Sequence, residues 1–325
     1  MVGRVVKLVI QIPCYNEEPT LGVALAALPR SLPGVDVIEW LVVDDGSTDR
    51  TAEVAKAAGV DHVIRFRRHR GLARAFMAGL QAALAAGADV IVNTDADNQY
   101  SAASIPDLLA PILAGGADIV VGSRPIAEIE HFSPLKKLLQ RLGSWVVRLA
   151  SNTAIDDAPS GFRAFTRDAA MKINVFSEYT YTLETIIQAG QKGMAVVAVP
   201  IQTNPPLRTS RLVRSIPQYL LLSMATIVRI FVTYRPLRFF TLMGFVFFIP
   251  GFLLGVRFLF YYFSGHGVGH VQSVILSGLL MGAGFLLMVI ALVVDLIAVN
   301  RVLLENVDAR LRRIEGRTGS GARHA

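Results

Sequence analysis

Two carboxylates two residues apart, Asp95 and Asp97, close the apolar run Val90-Ile91-Val92-Asn93, and an amide, Gln99, follows two residues later. Side chains alternate along an extended backbone, so both acids can point the same way just past a strand. Magnesium and manganese favour oxygen ligands and bind through one or two carboxylates plus substrate phosphates. Asp95 and Asp97 are therefore candidate ligands of a metal that holds a diphosphate; a solvated, Asp-rich turn is the plainer alternative. A second acidic pair, Asp44 and Asp45, ends another β-branched run, before Gly46-Ser47-Thr48-Asp49. These carboxylates can accept hydrogen bonds from a base or ribose, or cap an Asx turn. Glu17 can bind a ribose hydroxyl or favour the N-terminus of the next helix.

Such residues need a frame. Strands are expected over residues 7–12, 39–43, 60–66, 90–93, 119–122 and 195–200, with helices over 20–27, 71–86 and 182–191 and another ending near 58. That alternation implies an α/β fold with a mainly parallel, doubly wound sheet, whose ligands bind beyond the carboxyl ends of its strands. Within residues 134–150, Leu135, Leu138, Leu139, Leu142, Trp145, Val146 and Leu149 share one helical face, with Lys136, Lys137, Gln140 and Arg141 mostly off it. A basic amphipathic helix of this kind reads as lying on a membrane or packing on the sheet. Residues 216–232 are a second candidate interfacial helix.

The composition then shifts. Residues 239–263 carry one charge, Arg257, and residues 274–294 none. Each stretch can cross a hydrocarbon core about 30 Å thick. The loop between them has histidines but no Lys or Arg, whereas Arg235 and Arg238 precede the first stretch and Arg301, Arg310, Arg312 and Arg313 follow the second. By the positive-inside rule both ends of this hairpin are cytoplasmic. The whole chain, 325 residues at net charge +7, is 53% hydrophobic and 18% charged. That suits an anionic membrane surface better than nucleic acid. The single Cys14 excludes internal disulfides and fits a cytosol-facing domain.

Five motifs occur in order: Pro13-Cys14-Tyr15-Asn16-Glu17, Val43-Asp44-Asp45-Gly46-Ser47-Thr48-Asp49, Asp95-Ala96-Asp97-Asn98-Gln99, Gly122-Ser123-Arg124 and Ser160-Gly161-Phe162-Arg163. Together, over about residues 5–215, they resemble family 2 glycosyltransferases of the dolichol-phosphate mannose synthase type. The hairpin, with Gly269-His270-Val271-Gln272-Ser273 and Asp295-Leu296-Ile297-Ala298, is similar to the bacterial polyprenyl-phosphate glycosyltransferase variety.

The resemblance implies a GT-A fold and an inverting, metal-assisted transfer of one sugar. The donor would be a nucleotide sugar, GDP-mannose or a UDP-hexose, and the acceptor a polyprenyl or dolichyl monophosphate. On this reading Pro13, Tyr15, Glu17, Asp44, Asp45, Asp95 and Ala96 bind the nucleotide, and Asp95, Asp97 and Gln99 bind Mg²⁺ or Mn²⁺. Asp97, Arg124 and Arg208 act at the reacting centre, and Lys137, Arg141, Ser160, Arg163 and Arg211 take the acceptor phosphate. A lipid monophosphate, with a second pKa near ~6, is largely dianionic and can attack without a general base. The protein then supplies alignment and charge neutralisation, for which arginine is suited. Glu184 is expected on a helix surface.

The implied organisation is a cytoplasmic GT-A domain over 1–211, a juxtamembrane helix over 212–235, a hairpin over 236–299 (spans 237–263 and 273–297) and a basic tail over 300–325. Membrane lipid is a partner, and homo-oligomerisation through the hairpin is open. There are departures. His69 stands where many relatives place Asn before Gly, which bears on base selection. Arg208-Thr209-Ser210-Arg211 is more compact than in close mannose synthases, which leaves the sugar open. Rival readings are a same-fold transferase with another lipid or glycan acceptor, or a non-catalytic membrane scaffold.

Overall fold

The computed structural model describes residues 5–124, 157–175, 181–205, 232–265 and 271–321, with residues 144, 147, 148, 151, 153, 155, 228 and 229 besides. The chain divides into two compact units, Met1–Ser223 with Asn306–Ala325, and Met224–Glu305.

The first unit holds a seven-stranded sheet: β1 (Lys7–Cys14), β2 (Val37–Asp44), β3 (His62–Arg65), β4 (Val90–Asn93), β5 (Ile119–Ser123), β6 (Arg163–Thr166) and β7 (Val196–Pro200). Their order is β3-β2-β1-β4-β6-β5-β7. Every pairing is parallel except those of β6, which runs antiparallel to β4 and β5. The near-continuous apolar runs of β1 and β4 are what a sheet covered on both faces requires, and both strands are buried from Leu8 and Val90 onward. The covering helices are α1 (Glu18–Ala27), α2 (Thr51–Ala57), α3 (Leu72–Ala85), α4 (Ile105–Leu113), α5 (Arg167–Lys172) and α6 (Thr182–Gln191). On α3, Ala73, Phe76, Met77, Leu80 and Ala83 recur at helical spacing and are the face that is buried.

The parallel sheet expected from the sequence is present, and the strand β6 and the helices α4 and α5 are found in addition. β6 is four residues long, too short to carry a periodic signal. α4 contains Pro106 and Pro111, residues that read as breakers. Pro106 falls in the first turn, where a missing N–H leaves no bond unmade. The antiparallel sense of β6 matters for position. Its first residue lies at the edge where β1, β2, β4 and β5 end, so residues 157–162 arrive beside the loops that follow those strands. Both expected interfacial helices, 134–150 and 216–232, lie largely outside the described residues.

The second unit contains α7 (Pro236–Phe263), of 28 residues, and α8 (Val271–Gly321), of 51, which runs beyond that unit. Pro236–Phe263 and Val271–Leu304 are long and apolar enough to cross a membrane, with mean hydropathy of 2.2 and 2.6 in their most apolar windows. The two helices meet backbone to backbone at glycine. A Cβ on Gly284 would stand 2.7 Å from the Gly244 carbonyl, and one on Gly244 would stand 2.9 Å from the Gly284 carbonyl. Ser277 Oγ donates to the Gly251 carbonyl at 2.7 Å. Small residues and an interhelical hydroxyl are the usual means of close packing where no hydrophobic effect operates.

Candidate active site

At the ends of β1 and β2, Asp44 and Asp45 are 0% and 2% exposed. Carboxylates buried this deeply require donors. Asp44 Oδ1 accepts the Ser47 N–H at 2.8 Å, the Asx-type turn, and Arg65 Nε stands 3.1 Å from Oδ2. Asp45 accepts the N–H groups of Arg70 and Gly71 at 2.7 and 2.8 Å, and His69 Nδ1 lies 2.9 Å from Oδ2. Asp45 thereby fastens the loop that leads into α3. Gly46, at φ +73°, packs under that loop: a Cβ would come within 2.5 Å of the Arg68 carbonyl carbon. The His69 ring centroid lies 4.0 Å from that of Tyr15, which is partly exposed. A cleft of about 300 Å³ opens beside this platform, lined by Gly46, Ser47, Arg65, Phe66 and Arg67.

Pro13 is buried at the end of β1, in register with Val43. Glu17 is buried at the N-cap position of α1, where Thr20 Oγ1 donates to its carboxylate at 2.8 Å. Cys14 is buried between these groups. Burial, and then the negative charges of Glu17 and Asp44, push its thiol well above the ordinary range, so it remains a neutral packing residue.

Beyond β4, Asp95, Asp97 and Gln99 are half-buried and Ala96 is buried. The chain turns sharply there, with Asn98 at φ +55° and the Gln99 N–H donating to Asp97 Oδ1 at 3.1 Å. Asp95 lies against Gly161: a Cβ on that glycine would stand 3.2 and 3.3 Å from the two carboxylate oxygens. Gly161 is held from both sides, its N–H donating to Tyr100 Oη at 3.0 Å and its carbonyl accepting from Asn93 Nδ2 at 2.9 Å. Gln11 Nε2 in turn donates to Asn93 Oδ1 at 2.8 Å. Two half-buried carboxylates on a buried polar lattice suit a hard divalent cation. No group of three or more His, Cys, Asp or Glu that could hold a metal ion occurs among the described residues.

At the end of β5, Arg124 makes a two-point contact with Asp157, Nε to Oδ2 at 2.7 Å and Nη2 to Oδ1 at 2.9 Å. Asp157 is fully buried and the Arg124 side chain is 12% exposed. Burial opposes the charge on Arg124, but Tyr100, Asp157 and Asp95 outweigh it and keep the group above its ordinary value.

Two expectations need correction. Arg163 does not face outward toward a phosphate. It is fully buried, and its guanidinium donates to the carbonyls of Ser160 (2.8 Å), Ala158 (2.7 Å) and Thr182 (2.7 Å) and to Thr185 Oγ1. Burial lowers its pKa to about 10, so it stays cationic at neutral pH while bracing the 157–161 loop against α6. Glu184 is buried rather than on a helix surface. Ser160 is buried as well, and its Oγ has no hydrogen-bond partner among the described residues. Lys137, Arg141, Arg208 and Arg211 lie outside the described residues.

The sequence reading passed over Asp157, Tyr181 and Gln11 as site residues. Only Gln11 carries a signal of its own, a polar residue inside the apolar run of β1.

Comparison with known proteins bears on this geometry. The profile of Glycosyl transferase family 2 matches residues 9–173. Undecaprenyl-phosphate mannosyltransferase of Micrococcus luteus is 30% identical over 200 residues, 58% of this chain and 80% of that one. UDP-N-acetylglucosamine–dolichyl-phosphate N-acetylglucosaminyltransferase of Methanococcus voltae is 30% identical over 217 residues, 59% of this chain and 83% of that one. Among solved structures, glucosyl-3-phosphoglycerate synthase from Mycobacterium tuberculosis, in complex with Mn²⁺, uridine diphosphate and phosphoglyceric acid, superposes with a TM-score of 0.55 at 18% identity, covering 70% of this chain and 78% of that one.

Proposed function

The chain belongs to glycosyl transferase family 2, and from that premise we propose that it moves one sugar from a nucleoside diphosphate sugar to a polyprenyl monophosphate, with inversion at the anomeric carbon. The observation that carries this reading is the gathering, at one sheet edge, of Asp95 and Asp97 after β4 with the Arg124–Asp157 pair after β5. Relatives named for undecaprenyl phosphate and dolichyl phosphate support the acceptor class.

Tyr15, Glu17 and the loops organised by Asp44 and Asp45 hold the nucleoside, and Asp95 and Asp97 hold a divalent metal on the diphosphate. When bound, that metal neutralises charge on the departing nucleoside diphosphate. The acceptor phosphate is its own nucleophile, so what the protein contributes is alignment and counter-charge. Arg124 supplies counter-charge, and Asp157 fixes the plane of its guanidinium. Ser160, Lys137, Arg141, Arg208 and Arg211 complete the acceptor side. The domain limits inferred from the sequence carry over, with 1–211 catalytic and 236–299 spanning the membrane. The arginines flanking α7 and α8 support an orientation with the catalytic domain and both ends of the hairpin in the cytoplasm.

Full-length protein in detergent, given polyprenyl phosphate, Mn²⁺ or Mg²⁺, and a panel of radiolabelled GDP- and UDP-sugars, tests the reading. Label is expected in an organic-extractable, mild-acid-labile product, and Asp97→Ala should abolish it. If a donor is bound or hydrolysed while no lipid phosphate is labelled, the acceptor assignment fails.

A further inference from the structure

Tyr181 belongs to no motif, yet it sits at the centre of the polar lattice behind Asp95. The residue is 1% exposed, just before the first turn of α6. Its ring stacks on Phe76 with centroids 3.9 Å apart, so the ring is fixed by packing. Its hydroxyl accepts from Asn93 Nδ2 at 2.8 Å and donates to the Gly161 carbonyl at 3.3 Å. A Cβ on Gly161 would stand 2.8 Å from that hydroxyl and 3.2–3.3 Å from the Asp95 oxygens. One glycine thus separates the hydroxyl from the carboxylate. α6 cannot drift from the loop, because Arg163 donates to Ser160 and Ala158 on one side and to Thr182 and Thr185 on the other.

We propose that Tyr181 is a positioning residue for the metal–diphosphate end of the site: its hydroxyl pins the Gly161 peptide as a floor, and that floor sets where the Asp95 carboxylate stands. This rests on the reading that Asp95 and Asp97 hold a metal on a diphosphate. A carboxylate held at one place loses little freedom when a cation binds; one that shifts with its floor must be ordered at that moment.

The test is Tyr181→Phe in the full chain, which keeps the ring stack and removes one oxygen. Mn²⁺ binding is followed by electron paramagnetic resonance with UDP or GDP present, and nucleotide binding without metal by calorimetry. We expect the Mn²⁺ dissociation constant to rise about tenfold, metal-free nucleotide affinity to stay within twofold, and the Mn²⁺ concentration for half-maximal transfer to rise more than kcat falls. Gly161→Ala should weaken Mn²⁺ binding too. In Gly161→Ala/Tyr181→Phe the two losses should fail to add, because the added methyl and the hydroxyl compete for one space. If Tyr181→Phe lowers the Tm yet binds Mn²⁺ as the parent does, Tyr181 is structural only and the proposal is overturned. If the parent protein binds no Mn²⁺ with either nucleotide, the metal reading itself falls.

Discussion

Asp157 shows how a single residue can decide what another does. It is fully buried, and it holds the Arg124 guanidinium at two points. Leaving one partner of a buried ion pair unmatched costs on the order of 3–5 kcal/mol, and a neutral Asn that keeps the shape costs less. Asp157→Asn should therefore raise the KM for polyprenyl phosphate about tenfold, with the nucleotide dissociation constant within twofold; an unchanged acceptor KM would separate Asp157 from the acceptor side. The acids Asp44, Asp45, Asp95 and Asp97 were legible in the sequence because each pair ends an apolar run. Their partners were not. Asp157 lies 33 residues from Arg124, and His69 lies 24 from Asp45; only the folded chain brings such groups together. Arg163 illustrates the same limit. An arginine after Ser-Gly-Phe reads as a phosphate ligand until four protein oxygens are found around it.

At the level of elements, the sheet's first edge is tied by charge. Glu39 on β2 meets Lys7 on β1 at 2.6 Å and His62 on β3 at 2.7 Å. Burial raises the Glu39 pKa, but hydrogen bonds from Lys7 and His62 outweigh it and leave the carboxyl below its ordinary 4.5. Asp61, beside β3, is likewise lowered despite burial, by the Trp40 N–H and Arg30. A carboxyl with a depressed folded-state pKa contributes stability that is fully present above its unfolded value and is lost as pH falls through the folded one. The acid limb of a thermal-stability profile should accordingly begin below about pH 4.5, and Glu39→Gln should flatten it by lowering stability at pH 7 while matching the parent at low pH. An identical acid limb in that variant would remove Glu39 from the account. Six of the seven strands are legible because short apolar, β-branched stretches mark them. β6 is not, since its place between β4 and β5 is set by its partners rather than by its own four residues.

For the whole molecule, the useful reporter is the single cysteine. Cys14 is buried and its thiol is held neutral, so the natural protein should resist thiol reagents while folded. Ser264, exposed just past α7, can then be made the one reactive site. Ser264→Cys is expected to take a membrane-impermeant maleimide from outside intact cells; labelling only after lysis would reverse the orientation proposed for the hairpin. The path of the chain has a further consequence. It leaves the sheet edge at Arg124 and is back there at Asp157, and the ion pair between those residues closes the excursion. What lies between is bracketed by a clasp, and Asp95 and Asp97 are anchored elsewhere, after β4. On the function proposed, a transplant of residues 125–156 between relatives should change the KM for the acceptor while leaving nucleotide affinity within twofold.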